Sequence, residues 1–372
     1  MSNIKDFLSS SNINLDSLTK KKQQTDYKIK YVSEYVKQWA IISSEREDIT
    51  DITFIDCMCN AGVYHDGDLC TAMEVMLIFN DLAIQHPEKK YNIYLNDYDK
   101  QKIEVLKAVK EHLRNDNVKN VRFNIMNTDV NVYLDKIYES KHIFGFGKSV
   151  VLYVDPYNFG TVHIDKIHKV MSKHYCELIF NFFISDYVRN WKKDKERIFT
   201  CLGGKVVNSK EELIEYITNQ FHVGYIKYKF SYQFKTQTNI ELYQIMFFTP
   251  SKKGLEVLKD TLWTVFNGEF FYRNKTQDDD GQINLFSKED EKKWLLALHS
   301  EEARNLLCEK QGEIMTYSQI EVLLIEKSIL KESQILKNVI KPLIKEGKIT
   351  KMNRVPIKSN YKDDSYKIGD VK

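Results

Sequence analysis

The spacing of apolar residues changes along the chain, and each change predicts a different kind of element. Residues 27–40 carry Ile29, Val32, Val36 and Trp39 on one helical face with Lys and Glu opposite, which predicts an amphipathic helix. From residue 52 short apolar runs alternate with helical stretches. The runs at 52–56, 91–96, 121–126, 150–154 and 177–184 read as strands, with helices at 73–83, 101–113, 132–138 and 162–171 between them. That alternation predicts a mainly parallel, doubly wound α/β sheet with helices on both faces. Residues 225–234 and 240–249 then form two long strands joined only by Lys235 to Asn239, so an antiparallel hairpin ends the sheet. A helix over 255–266 closes the domain.

Beyond a stretch with three consecutive Asp and a Gly, the texture becomes helical and short. Helices at 291–310, 316–325 and 333–345 precede a strand at 347–352 and its return at 365–368. Three helices and a hairpin make a winged-helix-like pattern. The expected organisation is a polar tail or loosely attached helix at 1–26, the α/β domain at 27–273, a linker at 274–290 and a small basic domain at 291–372.

Composition narrows the partners. The 42% hydrophobic and 12% aromatic content gives enough apolar material for a sizeable core and argues against disorder. A net charge of +3 implies no nucleic-acid partner by itself. The charge is uneven, however: between Lys331 and Lys362 nine basic residues face only Glu332 and Glu346. Lys337, Lys341, Lys348 and Lys351 are the candidate phosphate contacts there. A solvated helix face or a protein-docking module would look the same. No window approaches the ~18 consecutive apolar residues of a membrane span, and residues 1–24 lack a signal-peptide core, so a cytoplasmic location is expected. The cysteines at 57, 59, 70, 176, 201 and 308 are then expected as reduced thiols without a paired metal-ligand spacing. His163 and His168 lie five apart and share no helix face, so no metal site is assigned.

Candidate chemistry gathers at strand ends. The run Val150 to Val154 reads as a strand buried on both faces, and Pro156 directly after Asp155 stops the ladder. Asp56, Asp97 and Asp129 follow the other three strands of the series. In an open α/β sheet, ligands bind outside the carboxyl ends of the strands. Asp97 is placed to accept from both hydroxyls of a ribose, and Asp129 from an adenine amino group. The loop Asp56 to Gly62, with Asn60 and Gly62, would bring backbone N–H groups to the ligand. A strand-end Asp that merely caps the next helix is the competing reading.

These motifs, in this order, resemble class I S-adenosylmethionine-dependent methyltransferases. They resemble more closely the three-Cys-motif partner (TcmP) family: Trp39 ending a helix, Asp56 to Gly62, Asp97 with Asp99, Asp129, Asp155-Pro156-Tyr157-Asn158-Phe159-Gly160, Asn181-Phe182, and the segment from Pro250 to Trp263. The chain departs from the family pattern at Cys57 and Asn60, where it has Gly, at Ala61, where it has Pro, and at Asn158, an insertion. The resemblance implies a Rossmann-like, class I methyltransferase-like fold with a C-terminal winged helix and S-adenosylmethionine as cofactor. It also implies a neighbouring three-Cys-motif, radical-SAM-like iron–sulfur protein as partner.

The resemblance leaves two classes of function. As a methyltransferase acting on nucleic acid, Asp155 and the Pro156 carbonyl would orient the target amino group, and Tyr157 or Phe159 would stack on a flipped base. Arg189 and Trp191 would then line a substrate-strand channel. As a scaffold without catalysis, the chain would carry its iron–sulfur partner to DNA or RNA. A nuclease using Asp155 and Asp129 on Mg²⁺ lacks a lysine at the spacing such sites use.

Overall fold

The structure, a computed structural model, describes residues 4–11, 13, 18–191, 193–275, 287–352 and 364–369 of the chain. Contacts divide it into two units, Met1–Gly254 with Phe271–Asn274, and Leu255–Phe270 with Lys275–Lys372.

The first unit is built on eight strands, the central ones buried on both faces and the outer ones only in part. They are β1 (Asp51–Asp56), β2 (Lys90–Asn96), β3 (Val121–Met126), β4 (Lys148–Val154), β5 (Glu177–Phe182), β6 (Tyr228–Lys235), β7 (Glu241–Thr249) and the short β8 (Tyr272–Arg273). Their order is β3-β2-β1-β4-β5-β7-β6-β8. The first five run parallel, β7 is antiparallel to both β5 and β6, and β8 is parallel to β6. This is the doubly wound, methyltransferase-like sheet with a terminal hairpin that the sequence predicts. The order turns at β1, between β2 and β4, where such sheets open a crevice.

Helices α1 (Ile4–Ser10), α2 (Gln23–Glu45), α3 (Thr71–Gln85), α4 (Lys100–His112), α5 (Val130–Glu139), α6 (Ile164–Lys173), α7 (Ile184–Asn190), α8 (Lys195–Cys201) and α9 (Lys210–Phe221) complete the unit. One core cluster joins Leu152, Val154, Phe180 and Phe182 of the central strands to Leu134 of α5 and Ile167 and Val170 of α6. On the opposite side Tyr35 of α2 packs edge-on against Phe247 of β7, with ring centroids 4.9 Å apart. Its hydroxyl donates to buried Glu177, which also accepts from the Thr249 hydroxyl at 2.7 Å. Burial pushes the Glu177 carboxyl up to about 7.

The second unit contains α10 (Lys252–Phe266) from Leu255 onward, then α11 (Lys288–Cys308), β9 (Ile314–Thr316), α12 (Tyr317–Lys327), α13 (Glu332–Ile335), α14 (Lys341–Lys345), β10 (Ile349–Lys351) and β11 (Ser365–Ile368). A π turn over Leu336–Ile340 joins α13 to α14. The Lys341 N–H reaches the Leu336 carbonyl, ahead of Pro342, which has no N–H to offer. The three strands pair antiparallel in the order β10-β11-β9. Sequence periodicity had α10 closing the first domain. It groups instead with the second unit, because buried Lys259 donates to the Ser328 carbonyl at 2.7 Å and the Trp263 indole to the Ile329 carbonyl at 3.0 Å. Most of the expected linker, residues 276–286, lies outside the described residues, as do Arg354, Lys358 and Lys362 of the basic run.

Gly224 turns the chain from α9 into β6 at φ +60°, and a Cβ there would stand 2.6 Å from the Met171 carbonyl oxygen and 2.7 Å from that of Ser172. Backbone cannot yield as a side-chain tip can. Gly224→Ala is expected to destabilise the first unit by roughly 2–4 kcal/mol, read as a lowered urea midpoint at unchanged m-value.

Candidate functional site

A cavity of about 800 Å³ lies at the carboxyl ends of β1, β4 and β5. Its walls come from Asp56 and the loop after β1, from Asp155 to Tyr157 after β4, and from Phe183 to Ser185 after β5. The start of β7 and the N-terminal turn of α2 with the segment before it close the remaining sides. The volume falls within the ~300–1,000 Å³ of small-molecule sites.

Asp155 is held from three directions. Lys28 of α2 donates to Oδ2 at 2.5 Å, the Tyr153 hydroxyl to the same oxygen at 3.0 Å, and Asn181 Nδ2 of β5 to Oδ1 at 2.5 Å. The two side chains are 11% and 21% exposed, so this is a partly buried ion pair with its hydrogen bonds made. Pro156 lines the cavity beside it, and among the described residues nothing donates to its carbonyl.

Asp56 at the end of β1 is 2% exposed and lines the cavity. One oxygen accepts the Met58 N–H at 3.1 Å, and no described residue donates to the other. Burial pushes this carboxyl up to about 8; the Met58 N–H and Lys28 oppose the shift, while Asp155 and Asp97 add to it. The loop beyond it holds Asn60 at φ +57°, a conformation that Asn tolerates after Gly. Asn60 lines the cavity, and its side-chain oxygen is buried without a partner.

The two expected nucleoside acids stand elsewhere. Asp97 was expected open at the crevice but is 3% exposed. Its Oδ2 accepts the Asn60 N–H at 3.0 Å and the Tyr157 hydroxyl at 3.3 Å, and its Oδ1 the Asp99 N–H at 2.9 Å. Tyr157 thus reaches from the loop after β4, across the end of β1, to the acid after β2. Lys102 of α4 fixes the phenol there, donating to its oxygen at 2.9 Å with the ammonium 4.8 Å from the ring centre. Asp129 lies outside the cavity walls and caps α5, accepting the N–H groups of Asn131 at 2.8 Å and Val132 at 3.3 Å. Gly62, at φ +80°, faces Leu106 and Met73, away from the ligand space.

Phe159, expected to stack on a base, is 5% exposed and belongs to the core, with the Arg197 guanidinium over its face. Trp191 also packs partly buried against that core. Arg189 does line the cavity, its guanidinium 3.0 Å from Asp186. In the second unit Lys337 and Lys341 are exposed, whereas Lys348 pairs with Glu346 at 2.9 Å and Lys351 with Asp364 at 2.6 Å. His168 Nδ1 donates to the Gln220 carbonyl and His174 Nε2 to that of Tyr138, each at 2.8 Å, and among the described residues no group of three or more His, Cys, Asp or Glu could hold a metal ion. Among the described residues no helix is long and apolar enough to cross a membrane.

Sequence reasoning passed over Lys28, Tyr64 and Tyr243, which line the cavity with Asp155. Lys28 carried a signal. It sits four residues before Val32 and eight before Val36, on the buried face of α2, where an unpaired lysine is costly.

No family model matches the chain, and no curated protein matches it. Solved structures do match. An S-adenosylmethionine-dependent methyltransferase from Methanosarcina mazei is 13% identical over 56% of this chain and 96% of that one, with a TM-score of 0.29. The methyltransferase domain of bacterial CtHen1 is 9% identical over 59% and 98%, at 0.32. A class I methyltransferase from Listeria monocytogenes, itself described as putative, is 9% identical over 67% and 74%, at 0.33. These are distant likenesses, and the fold described above rests on the chain's own strand order.

Asp97→Ala would strand two backbone N–H groups and the Tyr157 hydroxyl, and is expected to destabilise by roughly 2–4 kcal/mol in urea titration. Asp56 binds a proton in the folded chain that it does not bind when unfolded between about pH 4 and pH 8, so its contribution to stability falls as pH rises through that window. In Asp56→Asn this contribution is absent. The drop in melting temperature between pH 5 and pH 8 should be smaller than in the parent chain, Glu177 supplying what remains.

Proposed function

We propose that the cavity binds S-adenosylmethionine or a close analogue and that the chain is a methyltransferase whose acceptor is carried on nucleic acid. The observation that carries this reading is the cavity itself: about 800 Å³ at the carboxyl ends of β1, β4 and β5, beside the turn in strand order, with the carboxyls of Asp56 and Asp155 in its wall. The residues fit the amino-acid end of such a cofactor, since the Asn60 oxygen and the second oxygen of Asp56 are acceptors with no protein donor. The bound cofactor would supply a methyl group on a sulfonium centre. Asp155, with all its donors in place, would fix the Pro156–Tyr157 turn, and the Pro156 carbonyl would accept from the acceptor amine. Asp97 would meet the ribose only after Tyr157 swings aside.

The second unit supports the nucleic-acid part of the reading. Lys337, Lys341 and Lys345 recur every fourth residue, all exposed and without an acidic partner among the described residues. We read this helical run and its sheet as a winged-helix-like module with a phosphate-contacting stripe. The resemblance to three-Cys-motif partners supports a radical-SAM-like iron–sulfur protein as the chain's companion.

A scaffold without catalysis is favoured by one observation: Asp97, Asp129 and Asp155 are all already hydrogen-bonded within the protein. Calorimetric titration with S-adenosylmethionine and S-adenosylhomocysteine decides between the two. Micromolar binding is expected, and no heat at millimolar ligand would leave the scaffold. Separately, Lys337→Glu with Lys341→Glu should flatten the log–log salt dependence of DNA or RNA binding by roughly two, about 0.9 per lost phosphate contact on B-DNA. An unchanged slope would remove the stripe from the interface.

A further inference from the structure

We propose that the side of the cavity formed by β5 and β7 takes the methyl acceptor as a nucleoside monophosphate unit, with its base at Phe183 and Tyr243 and its phosphate on Lys22 and Arg189. The proposal deepens the methyltransferase reading and rests on it.

Strand order separates the two ends of the cavity. Asp56 and Asn60, read above as the amino-acid end of the cofactor site, follow β1, whereas Phe183 to Arg189 follow β5 and Ile240 to Tyr243 lead into β7. From β1 to β7 is three strand steps, ~14 Å at the usual spacing. A second molecule on the far side therefore meets a separate set of residues.

The β5–β7 side offers a ring surface. The rings of Phe183 and Tyr243 stand 5.2 Å apart between centroids, tilted by 37°. Phe183 also borders a small void together with Pro156, whose carbonyl is the proposed partner of the acceptor amine. A base resting on Phe183 thus has its edge beside the Pro156 turn. The two rings first expected to stack are engaged elsewhere, Tyr157 on Asp97 and Phe159 in the core. Exposed Val188 and Ile240 extend the apolar lining.

Cations flank these rings. Residues 19–24 run across the cavity from the loop after β1 to β7: the His65 N–H donates to the Thr19 carbonyl at 3.1 Å, and the Tyr243 hydroxyl to the Gln24 carbonyl at 3.2 Å. Lys22 on this segment lines the cavity, is exposed, and has no acidic partner among the described residues. The Arg189 side chain is 71% exposed, and its partner Asp186 also accepts the Phe159 N–H. The other charges are matched, Lys28 with Asp155 and Lys210 with Glu241. The hydroxyls of Thr25 and Ser185, also in the wall, make no hydrogen bond with any described residue. Ring surface flanked by unmatched positive charge and free donors suits a base that carries a phosphate. Because Lys22 and Arg189 are open to solvent, that phosphate can belong to a free nucleotide or to a strand.

The test is calorimetry on the full chain with its cofactor side filled by saturating S-adenosylhomocysteine. The probes are the common nucleosides and their 5′-monophosphates. At least one monophosphate should bind roughly tenfold or more tightly than its nucleoside. Lys22→Ala with Arg189→Ala should abolish that ratio, and Phe183→Leu should weaken nucleoside and monophosphate alike. Unchanged affinity for S-adenosylhomocysteine shows that both variants are folded. Equal binding of nucleoside and monophosphate, binding of neither, or a Lys22–Arg189 or Phe183 variant that behaves as the parent overturns the proposal and leaves the cofactor reading standing. Absence of S-adenosylhomocysteine binding overturns both. A short mixed-sequence single strand of DNA, added to the chain carrying Lys337→Glu and Lys341→Glu, separates the two sources. Displacement of the bound monophosphate assigns the phosphate to a strand, and its retention assigns it to a free nucleotide.

Discussion

The bonds converging on Asp155 govern the rest of the site. Lys28 comes from α2, Tyr153 from β4 and Asn181 from β5, and each gives up a proton-bearing group to one carboxylate. The pair Lys28–Asp155 is partly buried and stabilises little by itself, but removing either member leaves the other charge without its partner. Its effect is positional. It pins the second turn of a long helix over the open end of the sheet and fixes where the Pro156 turn begins. The cavity exists because α2 stands there as a wall.

Charge balance follows from the same cluster. Three carboxyls approach one another at the ends of β1, β2 and β4, and one buried ammonium serves them. Asp155 takes that ammonium. Asp97 is compensated differently, by two backbone N–H groups and a phenol. Asp56 is left with a single N–H, which is why neutralisation is its least costly state.

Much of the fold was legible because buried parallel strands need apolar residues on both faces, and such runs stand out against the charged helices. The hairpin was legible for the same reason, since five residues cannot cross over a sheet. The fate of the strand-end acids was not. A carboxylate that caps a helix and one that holds a nucleoside occupy the same place in sequence, and the difference lies in a rotamer. Asp129 turned back to the N–H groups of Asn131 and Val132. Asp97 was hidden by a tyrosine from another loop. Short β9 left no period to read, with Ile314 itself 60% exposed, and α10 changed units through partners far along the chain. Lys28 was readable, as a lysine in an apolar stripe, but its partner was not.

Tyr157 has a kinetic consequence. The closure over Asp97 consists of one side chain held by two hydrogen bonds and a cation over its ring, not of a folded loop. Clearing it takes a rotation about one or two bonds and no rearrangement of backbone. Half-exposed side chains of this kind turn over in picoseconds to nanoseconds, slowed only by the ~1 kcal/mol each hydrogen bond contributes. Opening that end of the crevice therefore asks for the turn of one side chain rather than the movement of a loop.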